Sequence, residues 1–332
     1  MRVLVTGAAG FIGFCLARRL LARGDEVIGI DNLNAYYQVS LKHDRVKLLR
    51  DEGGNRFTFH HVDFSDMAAL TSALDGLAID RIVHLGAQAG VRYSLENPQA
   101  YVASNLAGHV NLLELARHRA VEHMVYASSS SVYGGNTKLP FAVEDRTDHP
   151  VSLYAATKRA DELMSETYAH LFALPLTGLR FFTVYGPWGR PDMMLWMFTQ
   201  RILAGKPIPV FNHGEMSRDF TYIDDIVAGV VACLDSAPAN DGTEKAGGSV
   251  KPHALYNIGN SQCEPLMKVV GLLEDACGRE AAIEYLPMQP GDVPKTSADI
   301  SAISRDLGYA PTTNIEIGVP AFVAWYRNYH GV

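Results

Sequence analysis

The sequence of 332 residues has few cysteines, no excess of basic charge and no long hydrophobic run. Four cysteines are too few to staple a chain of this length, and none has the close spacing of a metal-binding pair. We therefore expect free thiols, a reducing compartment and no metal site. No apolar run approaches the roughly 18 residues that a membrane-spanning helix needs. Lys and Arg number 29 against 36 Asp and Glu, and the net charge of −7 gives no general attraction to nucleic acid or to a membrane.

The composition that remains is that of a folded globular protein, with 48% hydrophobic and 20% charged residues. At about 150 residues per domain, the length predicts two domains or lobes. The chain runs from Met1 directly into an apolar strand and a glycine turn, without the apolar stretch and cleavage site of a signal peptide. We therefore expect a cytoplasmic protein.

Short apolar runs alternate with helical patterns in the first half of the chain. They predict strands over residues 2–5, 26–30, 56–62, 81–85 and 123–127, and helices over residues 11–23, 102–118 and 152–172. Strands that alternate with helices pair in parallel through right-handed crossovers. The pattern therefore predicts an α/β fold built on a doubly wound parallel sheet.

The pattern changes after residue 180, where Pro and Gly become frequent. We assign residues 1–180 to the doubly wound domain, with segments of about 220–260 returning to it. Residues 181–332 then form mainly a smaller α/β lobe. The polar, Gly- and Ala-rich residues 237–253 indicate a flexible surface loop.

A glycine-rich turn lies between the first predicted strand and the first helix. Gly7 suits the tight turn, Gly10 lets the backbone approach a pyrophosphate at the helix N-terminus, and Gly13 lets the helix pack closely on the sheet. Asp31 ends the second strand 18 residues after Gly13. A carboxylate there accepts hydrogen bonds from a ribose and repels a 2′-phosphate. The combination predicts a dinucleotide site that prefers NAD to NADP.

Asp63 follows the third predicted strand and has two possible roles. It is placed either to contact the adenine amino group or to cap the helix that follows it. The sequence leaves this choice open.

Tyr154 and Lys158 are four residues apart in a predicted helix, so their Cβ atoms lie on one face about 5–6 Å apart. A Lys ammonium beside a phenol stabilises the phenolate, which lets the tyrosine take a proton near neutral pH. Upstream, residues 128–131 are all serine and follow the strand that ends at Ala127. Ligands of doubly wound sheets collect beyond the carboxyl ends of the strands. We expect this hydroxyl-rich turn to bind a sugar.

These motifs resemble the extended short-chain dehydrogenase/reductases that act on nucleotide sugars. The residues that carry the resemblance are Thr6-Gly7-x-x-Gly10-x-x-Gly13, Ser129 and Tyr154-x-x-x-Lys158. Residues 87–94, 128–134, 180–193 and 288–294 resemble UDP-glucuronate 4-epimerases in particular. The resemblance covers nearly the whole chain. It implies a Rossmann domain, tightly held NAD, and epimerisation of UDP-glucuronate to UDP-galacturonate through a 4-keto sugar.

The resemblance also implies a role for each candidate site residue. The implied catalytic residues are Ser129, Tyr154 and Lys158. The implied NAD-binding residues are Gly7, Gly10, Phe11, Ile12, Gly13, Asp31, Asn32, Asp63, Phe64, Leu85, Ala87, Gln88, Tyr154 and Lys158. The implied substrate-binding residues are Arg92, Ser129, Ser130, Ser131, Thr183, Arg190, Arg218 and Asp292.

In the family that the chain resembles, the serine turn and a threonine hold the substrate carboxylate, and that threonine corresponds to Thr183. Many relatives that act on uncharged sugars carry Asn there. Arg190 corresponds to a cation near the sugar, with a surface arginine as the alternative. Arg218 corresponds to the residue that binds the UDP pyrophosphate, with a salt bridge to a neighbouring Asp as the alternative. Asp292 corresponds to a contact of the uridine ribose.

Other functions remain open at this stage. Epimerisation of UDP-glucose or of a UDP-N-acetylhexosamine is the same reaction on another sugar. A UDP-glucuronate decarboxylase or a 4,6-dehydratase is a lyase that begins with the same oxidation, but those families place an acid where this chain has Ser130 and Ser131. A non-catalytic NAD-sensing module is expected to lose Ser129, Tyr154 or Lys158, and all three are present.

The resemblance finally implies a homodimer. Relatives pair through two long helices, which correspond here to residues 102–118 and 152–172. Ala107, Leu113, Ala160 and Met164 are candidate contact residues, although the same apolar positions also suit a core.

Overall fold

The computed structural model describes residues 1–289 and 291–332. Pro290, which belongs to the 288–294 segment named above, lies outside the described residues. The strands are β1 (Arg2–Thr6), β2 (Glu26–Asp31), β3 (Phe57–His61), β4 (Arg81–His84), β5 (His123–Ser129), β6 (Leu176–Phe181), β7 (Thr183–Tyr185), β8 (Ile208–Phe211), β9 (Ser217–Tyr222), β10 (His253–Ile258), β11 (Cys263–Pro265) and β12 (Ile283–Leu286). The helices are α1 (Phe11–Arg23), α2 (Val39–Gly53), α3 (Met67–Ala73), α4 (Tyr93–Glu96), α5 (Pro98–Tyr101), α6 (Gly108–His118), α7 (Leu153–Phe172), α8 (Met194–Leu203), α9 (Ile223–Asp235), α10 (Leu266–Cys277), α11 (Ser301–Leu307) and α12 (Ile315–His330).

A parallel seven-stranded sheet forms the larger lobe, in the order β10-β6-β5-β4-β1-β2-β3. The chain order reverses between β4 and β1, so this is the switch point of a doubly wound sheet. The predicted fold class is therefore confirmed. Because neighbouring strands all run the same way, their carboxyl ends meet at one edge of the sheet.

Helices cover both faces of this sheet. Val3 and Val5 of β1 belong to the apolar cluster that includes Phe14 of α1. Leu4 points to the other face and belongs to the cluster that includes Leu112 of α6. Successive strand residues face opposite sides, and both sides are covered, so the central strands are apolar at nearly every position.

The helix predicted over residues 102–118 is divided in the structure. A π-helical segment, Val102–Ala107, precedes α6. Within it, Asn105 is buried, accepts from the Gln88 amide at 2.8 Å, and donates to the Gln88 carbonyl at 3.1 Å and to Thr157 at 3.0 Å. The wider turn places this side chain between the strand end at Gln88 and α7, and a period-based prediction does not detect such an insertion.

Two small sheets and three helices make up the second lobe. The sheets are β11-β9-β7 and the parallel pair β12-β8. Trp196 of α8, Leu273 of α10 and Phe322 of α12 share one apolar core. Between these elements the chain returns to the first lobe, where α9 packs on α1 and β10 pairs with β6. The residues before β10 carry no helix or strand, but Ser249 Oγ donates to Glu166 at 2.9 Å.

A buried ion pair ties α7 to β6. The Arg180 guanidinium donates to both oxygens of Glu162 at 2.8 and 2.9 Å, and Ser128 donates to the same carboxylate at 2.6 Å. Burial alone would raise the pKa of the Glu162 carboxyl, but Arg180 holds this pKa below its usual range. Removing one partner of such a pair typically costs about 3–5 kcal/mol. The pair therefore fixes the end of β5, where the serine turn begins.

Candidate active site

A cavity of about 250 Å³ opens at the carboxyl edge of the parallel sheet. The predicted site residues in its wall are Gly7, Gly10, Phe11, Ile12, Gly13, Asp31, Asn32, Phe64, Leu85, Ala87, Gln88, Ser129, Tyr154, Lys158 and Arg190. Most come from the carboxyl ends of β1, β2, β4 and β5 and from the first turns of α1 and α7, whereas Phe64 follows β3 and Arg190 follows β7. The strand topology thus brings most of the candidate residues into one place.

The glycine turn has the close backbone packing that its spacing predicts. Gly7 has a φ of 70°, and a Cβ on Gly13 would lie 2.1 Å from the Gly7 carbonyl oxygen. A Cβ on Gly10 would lie 2.9 Å from the same oxygen. Among the described residues, no side chain caps the N-terminus of α1. The bare turn and the uncapped helix end together fit the pyrophosphate of a dinucleotide.

Asp31 is buried in the cavity wall at the end of β2. One of its oxygens accepts from the Leu33 amide at 2.8 Å, and the other accepts from the Ala9 amide at 3.2 Å. The carboxylate is therefore held in place beside the glycine turn. A fixed negative charge there suits ribose hydroxyl donors and disfavours a 2′-phosphate.

Asp63 lies next to the cavity wall without lining it, and its contact with the adenine stays a prediction. Its Oδ2 accepts from Asn32 at 2.9 Å, and its Oδ1 accepts from the amide and the hydroxyl of Ser65 at 2.9 and 2.7 Å. It is not the helix cap, because Asp66 caps α3. Asp63 instead holds Asn32, which does line the cavity.

Arg45 is a buried cation that the sequence analysis missed. Its guanidinium donates to the carbonyl of Ala9 at 2.8 Å, to those of Trp188 and Gly189 at 2.5 and 3.2 Å, and to Tyr37 at 2.9 Å. Among the described residues, no carboxylate forms a salt bridge with it. It thus ties the glycine turn to the second lobe and leaves a positive charge near the turn. Arg45 lies four residues from both Leu41 and Leu49, on the buried face of α2. This spacing was the signal in the sequence that could have predicted its burial.

Tyr154 and Lys158 lie in the first turns of α7, which Ser152 caps by accepting from the Ala155 amide at 3.1 Å. Both side chains line the cavity. Lys158 is buried, and its Nζ donates to the Ala127 carbonyl at 3.0 Å and to Asp161 at 3.1 Å. The pair therefore has the placement that its spacing predicts, with a carboxylate behind the lysine that the sequence analysis did not single out.

The serine turn divides between two roles. The Ser128 hydroxyl is committed to Glu162, which corrects the expectation that all four hydroxyls serve a sugar. Ser129 lines the cavity, accepts from the Ser131 amide at 3.2 Å and donates to the Ser131 hydroxyl at 3.1 Å. Ser130 and Ser131 are half-buried beside it, outside the cavity wall.

A charged network borders the second-lobe side of the cavity. Arg190 donates to both oxygens of Asp192 at 3.0 and 2.6 Å, and Tyr36 donates to Asp192 at 3.1 Å. Burial alone would raise the pKa of the Asp192 carboxyl, but Arg190 holds this pKa below its usual range. Arg190 lines the cavity and is therefore not a free surface arginine. Thr183, the first residue of β7, lines a small adjoining cavity of about 30 Å³ together with Arg190.

The remaining predicted substrate residues form a second group outside this cavity wall. Arg92 donates to Asp292 at 3.0 Å, and its guanidinium lies 4.7 Å from the ring centre of Phe211. Arg218 donates to the carbonyls of Ser217 and Pro294 at 3.0 and 3.1 Å. Burial lowers the pKa of Arg218, and among the described residues it forms no salt bridge. Two cations and an aromatic ring at one place suit the diphosphate end of a nucleotide.

In residues 1–289 and 291–332, no group of three or more His, Cys, Asp or Glu side chains is arranged to hold a metal ion. None of the helices in the same residues has both the length and the apolar character needed to cross a bilayer. All four cysteines are unpaired.

Known proteins are similar over nearly the full length of the chain. The profile of the NAD dependent epimerase/dehydratase family matches residues 3–259. A probable UDP-glucuronate 4-epimerase from Rhizobium meliloti is 48% identical, over 99% of this chain and 98% of that protein. The solved UDP-glucuronic acid 4-epimerase from Bacillus cereus, in complex with UDP-glucuronic acid and NAD, is 33% identical with a TM-score of 0.86, over 99% of this chain and 100% of that one. A dTDP-glucose 4,6-dehydratase from Streptomyces venezuelae, with NAD bound, is 28% identical with a TM-score of 0.87, over 100% of this chain and 98% of that one.

Replacing Asp31 by asparagine tests the cofactor end of the cavity. We expect NAD affinity to fall about 10–100-fold, because a hydrogen bond to a charged group contributes roughly 1.5–3 kcal/mol. The preference for NAD over NADP should shrink, because the repelling charge is gone. Calorimetric titration of nucleotide-free protein with each cofactor measures both effects. Asp75→Asn, which replaces an exposed carboxylate outside the cavity wall, is the control and should stay near wild type. An unchanged NAD-to-NADP ratio in Asp31→Asn would show that Asp31 does not set the preference.

Proposed function

Because the chain belongs to the NAD dependent epimerase/dehydratase family, we propose that it interconverts UDP-glucuronate and UDP-galacturonate by NAD-dependent epimerisation at C4. The observation that carries this proposal is the cavity itself. Its wall combines Tyr154 and Lys158 of α7 with the glycine turn and with Ser129, which belongs to a serine turn without an acidic residue. Residues 1–180, with 220–260 returning, form the cofactor lobe in this proposal, and 181–332 mainly form the sugar-nucleotide lobe.

In the proposed reaction, Tyr154, Lys158 and Ser129 each have a separate role that follows from their contacts. NAD, when bound, takes up the hydride from C4 and gives it back, so the cycle has no net redox change. Tyr154 takes the proton of the 4-hydroxyl as that carbon is oxidised and returns it to the 4-keto oxygen. The Lys158 ammonium, fixed by Ala127 and Asp161, stabilises the phenolate. Ser129 donates its hydroxyl proton to the Ser131 hydroxyl in this structure, and in the proposal it turns that proton to the sugar oxygen when substrate binds.

The proposed binding of the rest of the substrate follows from the two residue groups. Ser130, Ser131 and Thr183 supply neutral donors for the uronate carboxylate, and Arg190 lies beside Thr183. In the second group, Arg218 is the proposed partner of the pyrophosphate. Asp292, held by Arg92, is the proposed partner of the uridine ribose.

The lyase alternatives need an acid beside the reactive sugar. A solved 4,6-dehydratase has the same fold, so the fold does not separate the two reactions. The serine turn separates the two reactions, because it offers hydroxyls at Ser130 and Ser131 where a lyase needs an acid. Glu162, which reaches the turn through Ser128, is occupied by Arg180. This arrangement favours return of the hydride over elimination.

Replacing Tyr154 by phenylalanine tests the proton transfer. We expect turnover of UDP-glucuronate, followed by chromatography of the UDP-sugars, to fall about 10²–10⁴-fold, which is the usual contribution of a general base. NAD content after acid denaturation and UDP affinity should stay near wild type, because the ring is kept. Near-normal turnover would mean that another group takes the proton. Wild-type protein that converts UDP-glucose but not UDP-glucuronate would identify a different sugar.

Replacing Thr183 by valine, or Ser130 by alanine, tests the proposed hydrogen bonds to the uronate carboxylate. A 4-keto uronate is a β-keto acid, and it loses CO₂ most readily when the bond to the carboxylate overlaps the carbonyl π system. We expect each variant to bind UDP-glucuronate about 10–100-fold more weakly, with UDP affinity unchanged. Each should also release some UDP-4-keto-pentose with CO₂ and leave the cofactor as NADH. If both variants bind the acid normally and release no CO₂, the carboxylate is held elsewhere, with Arg190 the next residue to test.

We also propose that the protein is a homodimer that acts in the cytoplasm. The π-helical segment and α7 pack against one another, and each leaves an apolar side chain exposed, Val102 at 42% and Leu163 at 53%. Of the contact residues expected from the sequence, Leu113 is wholly buried in its own lobe and is withdrawn, whereas Ala107 is exposed. A second copy related by a two-fold axis would cover this face with the same face. Four free thiols suit a reducing compartment.

Replacing Leu163 by aspartate tests the dimer. Light scattering at micromolar concentration should give a dimer mass for the wild type and a monomer mass for the variant, because a buried charge opposes association. Ile317→Asp, at an equally exposed position on α12, is the control and should remain dimeric. A monomeric wild type would refute the proposal.

A further inference from the structure

Asp161 lies directly behind the catalytic lysine. It is one turn after Lys158 on α7, and the two side chains are 1% and 3% exposed. Its Oδ2 accepts from Lys158 Nζ at 3.1 Å. Its Oδ1 is buried and, among the described residues, has no hydrogen-bond partner. A buried carboxylate with one unused oxygen is costly to keep, so its presence beside a catalytic group calls for an explanation.

The groups around this pair leave Lys158 with a single counterion. His84 of β4 and His109 of α6 face it, and burial lowers the pKa of His84 to about 3 and that of His109 well below its usual range, so both rings are neutral. Tyr126 of β5 is also neutral, because burial raises its pKa. Glu162, the next residue along α7, pairs with Arg180 of β6. Asp161 is the one carboxylate in this part of the structure that contacts the lysine.

We propose that Asp161 is a positioning residue for the proton transfer, holding Lys158 as an ammonium ion directed at Tyr154. The inference rests on the proposed function and deepens it. The Ala127 carbonyl and the Asp161 carboxylate together fix two directions of the ammonium and leave the third for the cavity. Without the carboxylate, a lysine with 3% exposure is a buried cation without a counterion, and burial favours its neutral form.

The direction in which loss of Asp161 shifts the pH of phenolate formation at Tyr154 separates this role from two others. If Asp161 keeps Lys158 charged, its loss removes the cation beside Tyr154, and the phenolate forms only at higher pH. If Asp161 acted on Tyr154 only through its own negative charge, its loss would make the phenolate form at lower pH. If it merely packs, the pH at which the phenolate forms stays unchanged. Burial raises the pKa of Asp161, whereas the hydrogen bond from Lys158 Nζ favours the ionised carboxylate.

The test compares Asp161→Asn with wild type in two measurements. The first is the pH profile of kcat for UDP-glucuronate, with KM recorded at each pH. The second is an ultraviolet difference titration of the phenolate in the purified protein, with Tyr154→Phe as the blank. We expect the acidic limb of kcat and the phenolate titration both to move up by about one pH unit, about tenfold in the equilibrium constant. KM should change little. Lys158→Met is the reference for complete loss of the cation and should move the titration in the same direction.

Glu166→Gln is the matched control, because it removes a carboxylate from the same helix that pairs with His253 and does not contact Lys158. Its titration should coincide with that of wild type. An unshifted titration in Asp161→Asn, or a shift to lower pH, overturns the proposal even if turnover is slower. If Asp161→Asn does not fold, Asp161→Ser carries the same test, and failure of both while Glu166→Gln folds assigns Asp161 to stability and also overturns it. The titration needs no substrate, so a wild type without UDP-glucuronate turnover refutes the proposed function alone.

Discussion

The site depends on the parallel pairing of β1, β2, β4 and β5. Parallel strands end at one edge of a sheet, so the glycine turn after β1, Asp31 at the end of β2, Gln88 beyond β4 and Ser129 at the end of β5 meet around one cavity. The switch between β4 and β1 opens the crevice there, since the helices that follow these strands lie on opposite faces. None of these residues is near the others in the sequence.

Buried charge is the second organising feature, and the buried cations Arg180, Arg45 and Lys158 have three different kinds of partner. Arg180 has a full carboxylate partner in Glu162. Arg45 has carbonyl and hydroxyl acceptors, so its charge stays uncompensated beside the glycine turn. Lys158 has one carbonyl and one carboxylate oxygen. Such groups are costly to bury and strongly directional once buried. They therefore hold the strand ends and α7 at fixed positions, which a reaction that exchanges a proton and a hydride at one carbon requires.

The sequence was sufficient for the fold class, because apolar periodicity and glycine spacing are local properties. The spacing also placed Tyr154 and Lys158 on one face of a helix, and both line the cavity, while their catalytic roles stay a prediction. The sequence left the role of Asp63 open, because a short carboxylate after a strand fits several local bonds equally well, and the structure excludes only the helix cap, which is Asp66. Asp161 and Arg45 were missed because their roles depend on burial and on partners far along the chain. The π-helical turn at Asn105 was missed because a helical period continues through it.

The chemistry of a 4-keto uronate finally explains why the serine turn matters as much as the tyrosine. Oxidation at C4 is shared by epimerases, decarboxylases and dehydratases, so the cavity that performs it does not choose the product. The choice is made while the 4-keto sugar is bound, when loss of CO₂ competes with return of the hydride. In the proposed reaction, neutral donors at Ser130 and Thr183 restrain the carboxylate and stabilise its charge, whereas an acid at the same place would protonate the neighbouring carbon. Arg190 already forms a salt bridge with Asp192, which weakens its electrostatic attraction for the substrate carboxylate. In the proposed reaction, product choice therefore depends on how the second lobe and the serine turn orient the bound intermediate.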